Sequence, residues 1–189
     1  MSKPSLDIAR RFGGIARLYG QEQLNQFQKS HICIVGIGGV GSWVAESLAR
    51  HGIGRITIID MDHLAESNIN RQIHALDSTM GASKVIAMRD RLTDINPSVK
   101  VEVIDDFLDE ANIKTLIHSG YDFIVDAIDQ TKVKIALAQY CTDQNISLLM
   151  TGGAGGRTDP TLIQIASLDK TFGDPLLAVI RKDFNKEWR

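Results

Sequence analysis

The residues with the clearest chemical potential lie in a glycine-rich stretch, Gly36-Ile37-Gly38-Gly39-Val40-Gly41. It follows an apolar, β-branched run and opens a helical pattern, an order typical of strand, turn and helix at a phosphate site. Gly36 permits a tight turn, Gly38 lets backbone N–H groups approach a phosphate, and Gly41 allows close packing of the helix. Asp60 follows about 20 residues later, where a carboxylate can accept hydrogen bonds from ribose hydroxyls. The pattern predicts a nucleotide site, and the alternative is a glycine-rich turn that binds no ligand.

The charged residues that follow this stretch indicate which nucleotide fits. A dinucleotide pyrophosphate carries about two negative charges and can be held by backbone amides, whereas ATP carries about four and typically recruits arginine, lysine and Mg²⁺. Arg71 can contact two phosphate oxygens, Lys84 can lie between phosphates, and Asp126 can hold the bridging Mg²⁺. We therefore predict ATP and Mg²⁺ as cofactors, with these three residues as the catalytic set.

The predicted nucleotide-binding residues lie at the ends of predicted strands or in the loops that follow them. They are Gly36, Gly38, Gly39, Gly41, Asp60, Asn68, Arg71, Gln72 and Lys84, with Asp126 as the metal ligand. Each charged residue has a structural alternative: Arg71 as a solvated loop charge and Lys84 as an exposed helix residue. Asp126 and Asp129 would then cap a helix that begins at Thr131. A nicotinamide-dependent oxidoreductase stays open as an alternative function.

The elements that must hold these residues alternate between short β-branched runs and longer helical stretches, which is typical of a parallel sheet. The predicted strands are residues 32–35, 56–59, 99–104, 123–125 and 148–150, with 162–165 as a sixth candidate. Most are apolar on both faces, as buried parallel strands are. Right-handed crossovers then build a doubly wound, mostly parallel α/β sheet of Rossmann type. Its ligand crevice lies beyond the carboxyl ends of the strands.

The composition is that of one globular domain. The chain has 189 residues, 43% of them hydrophobic, and a formal net charge of −2. This balance argues against a protein that coats DNA or membrane through bulk charge. The chain has no apolar run long enough to span a bilayer, and its first residues lack the pattern of an export signal. We therefore expect a cytoplasmic protein.

Three parts are expected along the chain: a helical lead-in (1–30), a nucleotide-binding α/β domain (31–165) and the start of a C-terminal segment (166–189). Leu176, Ile180, Phe184 and Trp188 recur at intervals of four and predict a final helix. This pattern has no helix-ending signal, which favours a truncated chain. Cys33 and Cys141 lack disulfide or metal-site spacing and are expected to be buried.

Several ordered motifs together resemble the E1-like adenylating family of ubiquitin-activating-type enzymes. Besides the glycine stretch they are Asp60-Met61-Asp62, residues 67–72, residues 81–84 with Asn96-Pro97, and residues 125–129. The resemblance implies a Rossmann-like fold and ATP-dependent adenylation of a carboxylate. By the same resemblance, Gly38 and Gly39 line the nucleotide site and Asp60 binds ribose. It also implies that Asn68 and Arg71 bind phosphates, Lys84 the α- and β-phosphates, and Asp126 the metal.

Within the family, residues 11–20, 70–76 and 151–161 most resemble its tRNA-modifying members. The resemblance implies a homodimer and, as substrate, a tRNA carrying threonylcarbamoyladenosine, whose carboxylate becomes an acyl-adenylate before the ring closes. A sulfur-mobilising protein partner, found for some relatives, does not follow from these residues. A non-catalytic partner of a carrier protein stays open as a further alternative.

The chain departs from the family pattern at its start. Relatives use an arginine from the partner subunit in an Arg-aromatic-x-Arg-Gln sequence, whereas here Gly14 occupies the place of the second arginine. We expect Arg17 to substitute for it at the nucleotide. Family members also carry a cysteine in a segment that corresponds to positions after Arg189, and neither Cys33 nor Cys141 is expected to replace it.

Overall fold

The centre of the molecule is a five-stranded parallel sheet. The computed structural model describes residues 7–187, and its strands are β1 (His31–Val35), β2 (Arg55–Ile59), β3 (Lys100–Ile104), β4 (Phe123–Asp126) and β5 (Leu148–Met150). Their spatial order is β3-β2-β1-β4-β5, with every neighbouring pair parallel. The direction of winding reverses between β1 and β4, which opens a crevice at the carboxyl ends of these strands. The predicted doubly wound α/β fold is confirmed.

Helices cover both faces of the sheet. They are α1 (Ile8–Tyr19), α2 (Gln21–Lys29), α3 (Gly41–Arg50), α4 (Lys84–Ile95), α5 (Ile113–Leu116), α6 (Thr131–Asp143) and α7 (Pro175–Glu187). Single 3₁₀ turns occupy Glu66–Asn68, Asp77–Thr79, Pro160–Leu162 and Leu168–Lys170. Within residues 7–187, no helix combines the length and apolarity needed to cross a membrane.

Two apolar clusters fill the space between the sheet and its helices. Because side chains alternate along a strand, Cys33 and Val35 of β1 pack in the cluster that contains Leu137 of α6. Ile34, between them in sequence, packs in the other cluster with Met88 of α4. This arrangement explains why the strands are apolar on both faces.

The first two helices pack at the edge of the sheet where the strands begin. The ring of Phe12 in α1 lies against Gly52, in the turn that leads into β2. The guanidinium of Arg11 donates a hydrogen bond to the carbonyl of Ile95, the last residue of α4. Gly54, just before β2, contacts the backbone of Gln28 in α2 so closely that a Cβ would overlap it. Helices α1 and α2 are therefore far from the crevice.

The prediction of a sixth strand at residues 162–165 is wrong. Residues 160–162 form a 3₁₀ turn, and the side chains of Leu162, Ile163 and Ile165 are 72%, 79% and 88% exposed. A strand requires a neighbouring edge to pair with, and no described residue offers one to this segment. The predicted final helix is present as α7, where Ile180 is fully buried; Trp188 lies outside the described residues.

Candidate nucleotide-binding site

A cavity of about 630 Å³ lies at the carboxyl ends of the strands. Its walls come from the loop after β1, the long connection after β2, and the segments that follow β3, β4 and β5. The predicted site residues that line it are Gly36, Gly38, Gly39, Asp60, Asn68, Arg71, Gln72 and Lys84. The structure thus brings together eight predicted residues from four separate segments of the chain.

The loop after β1 has glycine wherever a side chain would obstruct the turn or the cavity. Gly36 has φ +87°, and a Cβ there would press against the backbone of Ala127. A Cβ at Gly41, the first residue of α3, would overlap the carbonyl oxygen of Gly36. Gly38 differs, because a Cβ there would meet no atom within 4 Å. Gly38 therefore leaves space that a ligand can occupy, whereas Gly41 lies behind the wall and shapes the loop.

Arg71 lies across the glycine-rich loop. Its Cγ and Cδ atoms are 3.2 Å from the position that a Cβ would take at Gly39. Its guanidinium donates hydrogen bonds to the carbonyl of Ser67 at 2.7 Å and to Oδ1 of Asn70 at 3.0 Å. Arg71 is exposed, but it lines the cavity and its stem is packed. This placement argues against the alternative that Arg71 is a freely solvated loop charge.

Lys84, the first residue of α4, is 6% exposed, so the alternative of an exposed helix residue is wrong. Its Nζ donates to Oδ2 of Asp62 at 2.7 Å, and its backbone N–H donates to the Asp62 carbonyl. Both residues line the cavity. Lys84 is therefore a buried cation, and its carboxylate partner among the described residues is itself more than half exposed.

Three polar residues complete this side of the cavity. The carboxylate of Asp60 accepts from the backbone N–H of Ile37 at 2.6 Å and from that of Asp62 at 2.9 Å, which fixes its orientation. Asn68 and Gln72 are buried. Among the described residues nothing donates a hydrogen bond to Oε1 of Gln72, so a buried acceptor is left for a ligand or water.

The structure does not place Asp126 in the cavity. Its side chain is 0% exposed and Oδ1 lies 3.0 Å from Nζ of Lys134, which is also 0% exposed. Burial raises the pKa of Asp126, and the charge of Lys134 opposes that change. The role of metal ligand predicted for Asp126 needs correction, because strand alternation turns Asp126, like Ile124, towards α6.

Asp129, three residues further along, does line the cavity. The predicted helix cap is not formed by either residue: the cap position of α6 is Gln130, and no side chain caps it. Strand alternation was a signal in the sequence that could have separated Asp126 from Asp129.

Arg17 lies away from the cavity of its own chain. It belongs to α1, at the opposite edge of the sheet, where its guanidinium folds back towards Gly13 and Gly14. The predicted contact between Arg17 and the nucleotide therefore cannot form within one chain. Nothing in the local sequence indicated at which edge of the sheet α1 would pack.

Sequence reasoning missed the opposite wall of the cavity. This wall consists of residues 152–155 after β5, together with Phe107 and Leu176. The glycine-rich stretch after β5 was the available signal, since it interrupts the regular alternation of strands and helices. Lys134 was also missed, because a single lysine in a helical pattern ordinarily indicates a solvated face.

The charges that line the cavity do not balance those of ATP. Among the described lining residues, four carboxylates (Asp60, Asp62, Asp106 and Asp129) face two cations, Arg71 and Lys84. A ligand with about four negative charges therefore requires additional positive charge from outside this set.

The carboxylates of the cavity fit a hydrated magnesium ion. In residues 7–187 no group of three or more histidine, cysteine or acidic side chains could hold a metal by itself. Mg²⁺ commonly needs only one or two carboxylates and completes its shell with phosphate oxygens and water. Asp129 meets that requirement, because its carboxyl group is exposed at the cavity.

Neither cysteine is suited to nucleophilic chemistry. Cys33 and Cys141 are buried, as predicted. Burial raises the pKa of the Cys33 thiol and raises that of Cys141 to about 11. Both stay protonated near neutral pH, where a reactive cysteine needs a thiolate.

Comparison with known proteins places this cavity in a family. Residues 12–183 match the ThiF family, which is most of the chain. The chain belongs to the ThiF family. This assignment confirms the E1-like resemblance, and it favours an adenylating enzyme over the nicotinamide-dependent alternative.

Within the ThiF family, the chain is similar to dehydratases that act on tRNA. It is 51% identical over 180 residues to the tRNA threonylcarbamoyladenosine dehydratase of Haemophilus influenzae. This match covers 93% of this chain and 69% of that protein. The structure of the Escherichia coli tRNA N6-threonylcarbamoyladenosine dehydratase in complex with ATP has a TM-score of 0.92 and 50% identity. The superposition covers 95% of this chain and 74% of that chain. The complex of the same enzyme with AMP has a TM-score of 0.93 and 48% identity, and the superposition covers 100% of this chain and 76% of that chain.

Proposed function

We propose that this protein is an ATP-dependent tRNA threonylcarbamoyladenosine dehydratase. One observation carries the proposal: the glycine-rich loop, Arg71 and Lys84 line a single cavity in a chain half-identical to such dehydratases. In this proposal residues 31–165 form the nucleotide-binding unit, residues 1–30 a helical lead-in, and residues 166–189 the start of a C-terminal segment. Because its substrate is tRNA, the enzyme acts in the cytoplasm.

The chemistry begins at the carboxylate of the threonylcarbamoyl group. A carboxylate oxygen attacks the α-phosphorus of ATP, which forms an acyl-adenylate and releases pyrophosphate. The ring closes by attack of a substrate nucleophile on the activated carbonyl carbon, and AMP leaves with the carboxylate oxygen. The nucleoside thereby loses one water. Arg71 and Lys84 stabilise the negative charge that the phosphates carry during transfer.

Mg²⁺ is part of the proposal, with Asp129 as the residue that holds it. When bound, the ion would neutralise charge on the phosphate oxygens and orient them for transfer. The support comes from charge: among the described lining residues the carboxylates outnumber the cations, so the nucleotide needs positive charge beyond that of Arg71 and Lys84. Asp126 is excluded from this role by its ion pair with Lys134.

We further propose a homodimer in which Arg17 acts on the nucleotide of the partner subunit. Arg17 lies at the opposite end of the sheet from its own cavity, and the two cations that line the cavity are fewer than its four carboxylates. Arg17→Ala and Lys84→Ala are each expected to lose activity, and mixing the two variants should restore part of it through mixed dimers. Mixtures that stay inactive would contradict the shared site. A sulfur-mobilising partner is not part of the proposal, because dehydration transfers no sulfur.

The proposal is tested by mass analysis of tRNA nucleosides. Modified tRNA incubated with the protein, ATP and Mg²⁺ should lose the mass of one water from threonylcarbamoyladenosine. Reactions without ATP, or with Lys84→Ala, should leave the nucleoside unchanged. ATP binding without exchange of labelled pyrophosphate would instead favour a non-catalytic protein. Tight NAD(H) binding with no preference for Mg-ATP would favour an oxidoreductase.

A further inference from the structure

A buried cation, Lys134, lies beneath the cavity. Lys134 is 0% exposed, although lysine is almost never fully buried unless it is paired. Its Nζ is 3.0 Å from Oδ1 of Asp126 and donates a hydrogen bond to the carbonyl of Thr151 at 3.0 Å. Two strands are thereby joined at their carboxyl ends, because Asp126 ends β4 and Thr151 follows β5.

Both partners of Lys134 lead directly into a wall of the cavity. Oδ1 of Asp126 accepts from the backbone N–H of Ile128, and Ile128 lines the cavity beside Asp129. The backbone N–H of Thr151 donates to the carbonyl of Asp126, so the two segments are also joined directly. Lys134 therefore ties residues 127–130 to the glycine-rich residues 151–155.

Asp174 holds the same glycine-rich wall from its other side. Its Oδ2 accepts from the N–H of Gly153 at 2.9 Å, and its Oδ1 accepts from Leu177 in the first turn of α7. A Cβ at Gly152 would overlap the Asp174 carboxylate, so this close contact requires glycine. Residues 151–155 are thus fixed between Lys134 below and the beginning of α7.

We propose that Lys134 and Asp174 are positioning residues that hold residues 151–155 in the shape that receives the nucleotide. Neither side chain lines the cavity among the described residues, so both act through the wall that they anchor. Breaking an anchor leaves a flexible glycine-rich loop that must be ordered again when the ligand binds. This inference rests on the proposed ATP site.

The simplest test uses Asp174→Ala, because Asp174 lies outside the sheet, directly before α7, and its loss leaves the pairing of the strands intact. Mg-ATP affinity, measured by calorimetry, should fall about tenfold, as is typical when a supporting residue is removed. Without ligand, the amide of Gly153 should exchange faster with deuterium. Asp122→Ala is the matched control, because the Asp122 carboxylate accepts from the N–H of His31 at 2.7 Å, at the end of the sheet where the strands begin. It should lower the Tm and leave the affinity unchanged.

A second test replaces the buried pair. Lys134→Met alone would strand a buried carboxylate, whereas Asp126→Leu with Lys134→Met removes both charges and often preserves folding. The double variant should bind Mg-ATP about tenfold more weakly. Leu137→Ala, on the same helix and buried in the core, should be destabilised without that loss. If the double variant does not fold, the affinity and exchange measurements on Asp174→Ala decide whether the positioning role is correct.

The outcomes separate this inference from the function on which it rests. Wild-type protein that does not bind Mg-ATP would overturn the proposed function. Wild-type protein that binds, with Asp174→Ala within twofold of it and normal exchange at Gly153, would overturn only the positioning role. An equal loss of affinity in Leu137→Ala or Asp122→Ala would also overturn it, because general destabilisation would then explain the effect.

Discussion

Arg71 shows how a single residue can be held ready for an anion. Its aliphatic stem packs on Gly39, where no Cβ is present to displace it. Two of its hydrogen bonds go to neutral oxygens, of Ser67 and Asn70, and no described carboxylate forms an ion pair with it. No described carboxylate therefore neutralises the positive charge of the guanidinium, which is available to an anionic ligand.

We expect Arg71→Ala to weaken ATP binding by about 1.5–3 kcal/mol, the contribution of a hydrogen bond to a charged group. The fold should be unaffected, because the side chain is exposed. Calorimetric titration with Mg-ATP measures the change. Arg89→Ala is the control, since Arg89 pairs with Asp90 on α4 and does not line the cavity. Unchanged affinity in Arg71→Ala would remove this residue from the site.

Asp126 and Asp129 show where reasoning from single residues falls short. The two carboxylates are three positions apart and both follow an apolar run, so composition and spacing do not separate them. The two side chains point in different directions: Asp126 forms an ion pair with the buried Lys134, whereas Asp129 lines the cavity. Alternate residues of a strand point to the same face, so the apolar Ile124 would have predicted that Asp126 points towards α6 and not into the cavity.

At the scale of elements, α3 and α4 are joined by a nearly buried carboxylate. Glu46 of α3 accepts from Nε of Arg91 on α4 at 2.5 Å and from Nε of Arg50 at 2.8 Å. Burial acts to raise the pKa of Glu46, but these two arginines hold it below its usual value. Because α3 carries the glycine-rich loop and α4 begins at Lys84, the contact helps to set their spacing.

Glu46→Ala should lower the free energy of unfolding by about 2–3 kcal/mol, because the charged hydrogen bonds from Arg50 and Arg91 are lost. The two arginines are partly exposed and regain water, which keeps the cost below that of stranding a fully buried charge. Urea denaturation at neutral pH gives the value. In the control Asp90→Ala, which removes an exposed pair, the loss should stay under about 1 kcal/mol. Equal effects would show that the Glu46 contact is no stronger than a surface pair.

The strands of the sheet were largely predictable from the sequence, except that residues 162–165 were wrongly predicted to form a strand. The five confirmed strands are short runs rich in apolar residues, and four of them contain β-branched residues; crossovers between them give the parallel pairing. Residues 162–165 have similar side chains but no described neighbour with which to pair. Strand formation therefore depends on a distant edge, which a local pattern does not report.

For the whole molecule, acid stability depends on a buried histidine. His74 is 1% exposed, and among the described residues neither ring nitrogen has a hydrogen-bond partner. Burial, and then the charges of Lys84 and Arg91, lower the pKa of His74 to about 4. Protonation of His74 is therefore costly in the folded protein and easy in the unfolded chain, whose histidine has a pKa of about 6.5.

The unfolded chain binds the additional proton between pH 6.5 and 4, so stability must fall as the pH drops through this window. At pH 5 the contribution of His74 should be a loss of about 2 kcal/mol relative to neutral pH. His74→Leu should remove this part of the pH dependence, which urea denaturation at several pH values would measure. The carboxylates contribute equally to the pH dependence of the wild type and of His74→Leu. The difference between their free energies of unfolding therefore gives the contribution of His74. Parallel pH curves would contradict the assignment.

At the two ends of the sheet, local sequence and tertiary packing determine different features. Local signals were enough for the glycine-rich turn, the alternation of elements and the family, because φ preferences and side-chain periodicity act over a few residues. The opposite edge for Arg17, the burial of Lys134 and the cavity wall after β5 depend on which distant surfaces pack together. Those contacts join residues far apart in the chain, and their free energies exist only once the sheet and its helices have assembled.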